Sequence, residues 1–487
     1  MKVNSSPIGH APAEGKRVDS PKLRRAGRLA LTRIGRWPHD VALGDLLAAA
    51  TVAFNVVLIA STFILIHYFN IDALTSLFYV GQEQCAPGSG MLGSHCFGDY
   101  NLGSVLSLPN PWDYVTQVGP WNYPAASMAP SAIFLWFGTV IGHQKIATLL
   151  YVVLMAVGFA IPAAWASRGR RLWVRIAITA MFGFLSVPAL MAIDRGNVVG
   201  LAVPFIFLAM VSVAKHRFLL AAIAIALAAG AKPQYGLAIL IFVFLGRWLW
   251  LLVCAAIAAV VQFLPFLLWP QAFPGSIVQA FTGMFSFGSQ STLGNTIPVS
   301  VSFTNGAYLL EEWFVRPLRG IDSTSWVEGH QGLITAVLVG GLVIVVFLAR
   351  RALPSALVAG LLFMIASLAV PTTFTYYFIA ALPIAAIVLR NPEAHYEPDD
   401  RFRGVLELGS TKRWVEFAAA GFLAITVAAT ISRSFIPRLI PDMPYFIFTD
   451  AAFVTVMWLF AIPLYGIVKM VVRRSDARVL RNGAGHA

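Results

Sequence analysis

Long apolar runs dominate this chain. About twelve of them reach or approach the 20 or so helical residues that cross a bilayer: 42–68, 147–167, 175–193, 198–214, 218–231, 235–246, 248–269, 332–349, 353–371, 376–390, 415–432 and 447–472. The runs are continuous rather than alternating, so they predict helices and exclude a β-barrel. In lipid, only helices and closed barrels satisfy every backbone amide and carbonyl. The expected fold is an all-α polytopic membrane protein, a bundle of about twelve transmembrane helices.

The polar stretches between the runs give an orientation. Basic clusters abut apolar runs at Lys22 to Arg36, Arg168 to Arg175, Lys215 to Arg217, Arg350-Arg351, Lys412-Arg413 and Arg473-Arg474. Positive charge beside a span marks the cytoplasmic side. Residues 70–122, by contrast, contain no lysine or arginine, and they carry Asp72, Glu83, Asp99 and Asp113. That stretch is expected on the outer side, as is a second long connection over about 270–331. Residues 1–41 read as a basic cytosolic tail, 42–472 as the transmembrane domain with outer loops near 69–122 and 270–331, and 473–487 as a cytosolic C-terminal tail. One more apolar segment, 123–142, cannot be a full span without reversing every later charge cluster, so it is expected to be re-entrant or interfacial. The resulting localisation is a multi-pass plasma-membrane protein with both termini cytoplasmic and its chemistry on the extracytoplasmic side.

Composition agrees with this reading. The chain is 487 residues, 58% hydrophobic and only 12% charged, against roughly 25% charged in soluble domains. The net charge of +13 could suggest nucleic acid, but its confinement to span ends makes it topological, and no nucleic-acid partner is expected. Cys85 and Cys96 share the first outer loop and are expected to form a disulfide there. Cys254 lies within a span and reads as a small core residue.

Candidate chemistry gathers on the outer side. Asp99, in Gly98-Asp99-Tyr100-Asn101, is the leading carboxylate for general-base work, and Asp113, in Pro111-Trp112-Asp113-Tyr114, is its competitor, equally readable as a helix cap. Two short polar turns face the same way, Asp194-Arg195-Gly196-Asn197 and Lys232-Pro233-Gln234. Arg195 and Lys232 are natural phosphate contacts, and equally natural partners of an internal salt bridge. No Asp-x-Asp, His-x-x-x-His, P-loop or dinucleotide glycine pattern occurs, so neither a metal site nor a cofactor is expected.

Several of these segments, taken in order, resemble a known group. They are the acid in the first outer loop, then Trp121-Asn122-Tyr123-Pro124-Ala125-Ala126-Ser127-Met128-Ala129-Pro130, then a span with Pro188 ending in Gly196-Asn197, then Ala228-Ala229-Gly230-Ala231-Lys232-Pro233. The pattern is similar to the polyprenyl-phosphate-sugar-dependent glycosyltransferases of the GT-C superfamily, and most to glycosyltransferase family 87, over about residues 42–390. The resemblance implies a GT-C-like bundle that moves a sugar, mannose before arabinose, from a polyprenyl-phosphate donor to a glycolipid or polysaccharide acceptor among membrane lipids. It implies inversion, with Asp99 as base and Lys232 and Arg195 at the donor phosphate. Tyr100, Asn101, Tyr123, Asp194, Asn197, Gln234 and Tyr376 then line the substrate pocket. Two positions depart from the group: Ala125 replaces a second proline, and Pro371-Thr372-Thr373-Phe374-Thr375-Tyr376-Tyr377 stands where relatives often carry histidine. A transporter or lipid flippase is the competing class, but it would place charges near the bilayer midplane, where these runs have almost none.

Overall fold

The computed structural model describes residues 46–56, 109–114, 123–290, 300–319, 325–370, 373–390, 414–432 and 449–484. Among them helices account for nearly all regular structure, and the one β contact is an isolated antiparallel bridge between Ser300 and Phe374. The principal helices are α1 (Leu46–Val56), α2 (Ala125–Val140), α3 (Gln144–Ala166), α4 (Leu172–Thr179), α5 (Val187–Arg195), α6 (Ala202–Ala214), α7 (Phe218–Ala231), α8 (Leu240–Phe244), α9 (Trp248–Phe263), α10 (Gly275–Gln290), α11 (Phe303–Leu310), α12 (Gln331–Ala349), α13 (Ser355–Leu368), α14 (Ala381–Leu389), α15 (Trp414–Ile431) and α16 (Thr449–Ala484).

Four of these stretches are long and apolar enough to cross a membrane: Gln144–Ala166, Trp248–Leu268, Gln331–Ala349 and Phe453–Ser475. A fifth is added if Leu172–Phe184 and Val187–Ile193, which meet at 57°, form one broken span. Among the described residues the expected count of about twelve is therefore not confirmed. The remaining apolar helices have 10–17 residues. At 1.5 Å per residue they reach at most about 26 Å, short of a hydrocarbon core of about 30 Å. Prolines lie at two of the breaks: Pro188 follows the bend at Ser186, and Pro233 ends α7.

The core is built from small side chains. In α7, nine residues from Ala221 to Ala231 are buried, and seven of them are alanine with one glycine. A Cβ on Gly230 would lie 2.6 Å from the Val261 side chain of α9, so the glycine permits that approach. Lipid tails are as apolar as leucine, so close packing of small residues, rather than a hydrophobic drive, holds such helices together.

The helices share two ends. At one end the basic residues meet helix C-termini. Arg170 donates from Nη2 to the Leu389 carbonyl at 3.1 Å, and Arg350 from Nε to that of Phe244 at 3.1 Å. There Arg390 lies over Trp165 at 5.6 Å and Arg247 over Phe218 at 5.0 Å. Cations suit the negative ends of helix dipoles. The same helices lead away from this end: α7 starts beside Phe218 and finishes at Ala231. Further along the bundle, α15 and α16 are joined by a buried ion pair between Glu416 and Lys469 and by Trp458, whose Nε1 donates to Thr430 Oγ1 at 2.9 Å.

The segment 123–142, expected to be re-entrant or interfacial, is the 16-residue helix α2, with Pro130 inside it. Its first turn meets the end of α7, and its Phe134 packs edge-on to Tyr151 of α3 at 5.4 Å. It turns back at Ile141–His143, where Gln144 donates to the Leu135 carbonyl at 3.1 Å.

Candidate active site

The site forms where α7 stops. Proline disfavours helical geometry in the residue before it, and Lys232, preceding Pro233, is extended (φ −149°, ψ 119°). Its amide still donates to the Ala228 carbonyl at 3.1 Å, and its carbonyl accepts from Tyr235 at 3.0 Å. The last carbonyls of a helix ordinarily lack partners. Here Ser127 of α2 donates to the carbonyls of Gly230 (3.1 Å) and Ala231 (2.8 Å), and Gln262 of α9 to that of Ala229 (2.6 Å). Two neighbouring helices therefore hold the backbone just ahead of Lys232.

The side chain of Lys232 is 6% exposed. Its Nζ lies 4.0 Å from the centroid of the Tyr123 ring and 5.4 Å from that of Tyr377. Cation–π contacts of this length stabilise an ammonium by about 0.5–2 kcal/mol, most where water is excluded. They offset part of the cost of burying the charge.

Asn197 closes the third side. It is fully buried. Its Oδ1 accepts from the Val199 amide at 2.9 Å, capping the 3-10 turn Val198–Leu201, and its Nδ2 donates to the Tyr123 hydroxyl at 3.2 Å. The cap works because Gly196 ends α5 in the left-handed region (φ 62°), open to glycine at little cost. The Gly196 carbonyl accepts from the Tyr151 hydroxyl at 3.2 Å. Tyr123 is placed by its own backbone as well: its carbonyl accepts from the Trp112 indole at 3.1 Å. Trp112 is 1% exposed and packs on Phe266 (4.8 Å) and Trp269 (5.3 Å).

Three sequence candidates, Tyr123, Asn197 and Lys232, thus touch or share a partner. Tyr376 is buried and stacks on Tyr377 at 5.0 Å, one ring removed from the ammonium. Arg195 is half-buried in the last turn of α5, on the turn that carries Asn197, and the backbone of Asp194 lies beside it. Gln234 is half-buried in the turn after Lys232. Asp113 belongs to the 3-10 turn Pro111–Tyr114, one peptide from Trp112. Asp99, Tyr100, Asn101, Cys85 and Cys96 lie outside the described residues. Cys254 is a free, buried thiol in α9. Among the described residues no three His, Cys, Asp or Glu side chains converge as a metal site requires.

Sequence reasoning missed Ser127, Gln262, Trp112 and Tyr377 as builders of the site. Trp112 and Tyr377 each adjoin a residue it did single out. Ser127 and Gln262 act on carbonyls of another helix, and no local pattern announces that.

No curated protein matches the chain at a significant level. A family model for glycosyltransferase family 87 matches residues 121–395, more than half of the sequence. The matched segment begins two residues before Tyr123 and contains Asn197, Lys232 and the Tyr376-Tyr377 pair. It is all-helical among the described residues, with apolar helices that suit a membrane, and the family match favours a glycosyltransferase over a transporter. The chain belongs to glycosyltransferase family 87.

Proposed function

We propose that this protein transfers a sugar, mannose before arabinose, from a polyprenyl-phosphate donor to a glycolipid or polysaccharide acceptor at the extracytoplasmic face, with inversion. A carboxylate of the first outer loop takes the proton of the acceptor hydroxyl. The hydroxyl oxygen bonds to the anomeric carbon as the bond from that carbon to the phosphate oxygen breaks. The electron pair leaves with polyprenyl phosphate, whose growing charge meets Lys232, with Arg195 in support. Placing a fixed cation where charge develops is the largest contribution such a site can make. The observation that carries the reading is the buried Lys232 ammonium held between Tyr123 and Tyr377 at a helix break, inside a family of glycosyltransferases.

Asp99 is the proposed base. A specific observation favours testing Asp113 beside it: Trp112, its neighbour in sequence, is bonded to the backbone of Tyr123, so the Asp113 backbone is tied to the Lys232 cluster. Purified protein in nanodiscs, given polyprenyl-phosphate mannose or arabinose and candidate lipid acceptors, should yield the glycosylated acceptor by mass spectrometry. Asp99→Asn should abolish transfer with insertion and folding intact. Full activity in Asp99→Asn with none in Asp113→Asn would move the base to Asp113. No product with either donor would sink the reading.

A further inference from the structure

We propose that three turns at the arginine end of the bundle form a binding surface for the headgroup of an anionic phospholipid, apart from the sugar site. The turns join α6 to α7, α8 to α9 and α12 to α13, and they carry Arg217, Arg247, Arg350 and Arg351. Two of them are built alike. His216 (φ 55°) and Gly246 (φ 67°) are left-handed. The amide of the arginine after each donates back into the preceding helix, Arg217 to the Ser212 carbonyl at 2.8 Å and Arg247 to that of Phe242 at 2.7 Å. Each arginine thus stands between one helix and the next, and both are exposed.

Aromatic rings and backbone carbonyls hold the turns to one another. The Arg247 guanidinium lies over the ring of Phe218 at 5.0 Å, and Phe218 packs on Trp250 at 6.4 Å and Phe242 at 6.5 Å. Arg350 ties in the third turn: its Nε donates to the Phe244 carbonyl at 3.1 Å and its Nη1 to that of Phe347 at 2.6 Å. Arg351, next in sequence, is exposed. Arg350 therefore fastens the turns, while Arg217, Arg247 and Arg351 present charge to the outside.

Place and charge together identify the occupant. The apolar stretch Trp248–Leu268 begins one residue after Arg247, and Gln331–Ala349 ends one residue before Arg350. Both are long enough to cross a membrane, so the patch lies where hydrocarbon gives way to headgroups. Leu219, Trp248 and Leu249, beside it, are 51–67% exposed, apolar surface that suits the interfacial ends of acyl chains. No acid stands in the three turns, nor in the first turn of α7 or α9. Arginine offers phosphate a planar fork of donors, and it stacks on rings without giving up that edge. Basic pockets between membrane helices hold anionic headgroups by this chemistry.

The test titrates cardiolipin, and separately phosphatidylcholine, into the full chain in detergent and reads bound lipid by native mass spectrometry. Wild type should bind cardiolipin about tenfold or more tightly than phosphatidylcholine. Changing Arg217→Gln, Arg247→Gln and Arg351→Gln together should weaken cardiolipin binding about 100-fold, at about fivefold for each cation near a lipid surface. Changing Arg168→Gln, Arg171→Gln and Arg175→Gln together removes three exposed cations from a different cluster and should cost less than about twofold. Arg351→Glu alone, at an exposed position, should cost about fivefold or more and reads the same surface if the triple variant fails to fold. Equal affinity for the two lipids, equal losses from the two triple variants, or wild-type affinity in Arg351→Glu would overturn the proposal. Displacement of cardiolipin by inorganic phosphate would overturn it too, since the surface would then serve free phosphate rather than a lipid.

Discussion

Two buried lysines in this protein have different neighbours. Lys469 of α16 meets the carboxylate of Glu416 on α15, with both side chains largely buried. That pair is a fastener: opposite charges cancel across two helices, and little field is left for a visitor. Lys232 lies over two tyrosine rings at the end of α7. A ring face offsets burial but leaves the ammonium positive. The two lysines are similarly buried but have different neighbours, and fractional exposure alone would not have told them apart.

Substitutions can break this contrast. The largest effect is expected from Lys232→Met, which should slow sugar transfer about 100- to 1000-fold, the range for losing one group that stabilises developing charge, with thermal unfolding close to wild type. Near-normal turnover would remove Lys232 from the chemistry. Lys469→Met should do the reverse. Removing one partner of a buried pair costs about 3–5 kcal/mol, so thermal unfolding in detergent should shift down clearly while specific activity of the folded fraction holds. A second change, Glu416→Leu, should recover much of that stability, and a failure to recover would show that Glu416 serves something besides Lys469.

Smaller changes sharpen the comparison. Gly196→Ala places a Cβ in the left-handed region at a cost of roughly 1–2 kcal/mol. It should lower both stability and transfer, since the turn carries Asn197. Equal stability and activity in that variant would mean the turn relaxes freely. Tyr123→Phe keeps the ring over Lys232 and removes the hydroxyl that accepts from Asn197. A hydrogen bond nets about 1 kcal/mol, so a loss of about fivefold in kcat/KM is expected. A loss as deep as that of Lys232→Met would mean the hydroxyl itself meets the substrate.

How far the sequence disclosed this site depends on how local each signal is. Lys232-Pro233 and Gly196-Asn197 were legible because a proline and a left-handed glycine write their geometry into adjacent residues. The family resemblance was legible for the same reason, as a series of short local motifs. The number of spans is not confirmed among the described residues. Hydropathy reports apolar length, whereas proline breaks at positions such as 188 and 233 divide that length into helices too short to cross alone. Ser127, Gln262 and Tyr377 were missed because their partners are about 100, 33 and 145 residues away in sequence. Only packing brings them together.

The alanine-rich make-up of α7 has one further consequence. Alanine has no rotamers to exchange, so most of the buried face of α7 cannot absorb a disturbance by reshuffling side chains. A push at Phe218, beside the arginine end, has no soft medium to dissipate in before it reaches Lys232. The backbone of Lys232 therefore sits at the end of a segment whose buried face is fixed by close packing rather than by adjustable side chains.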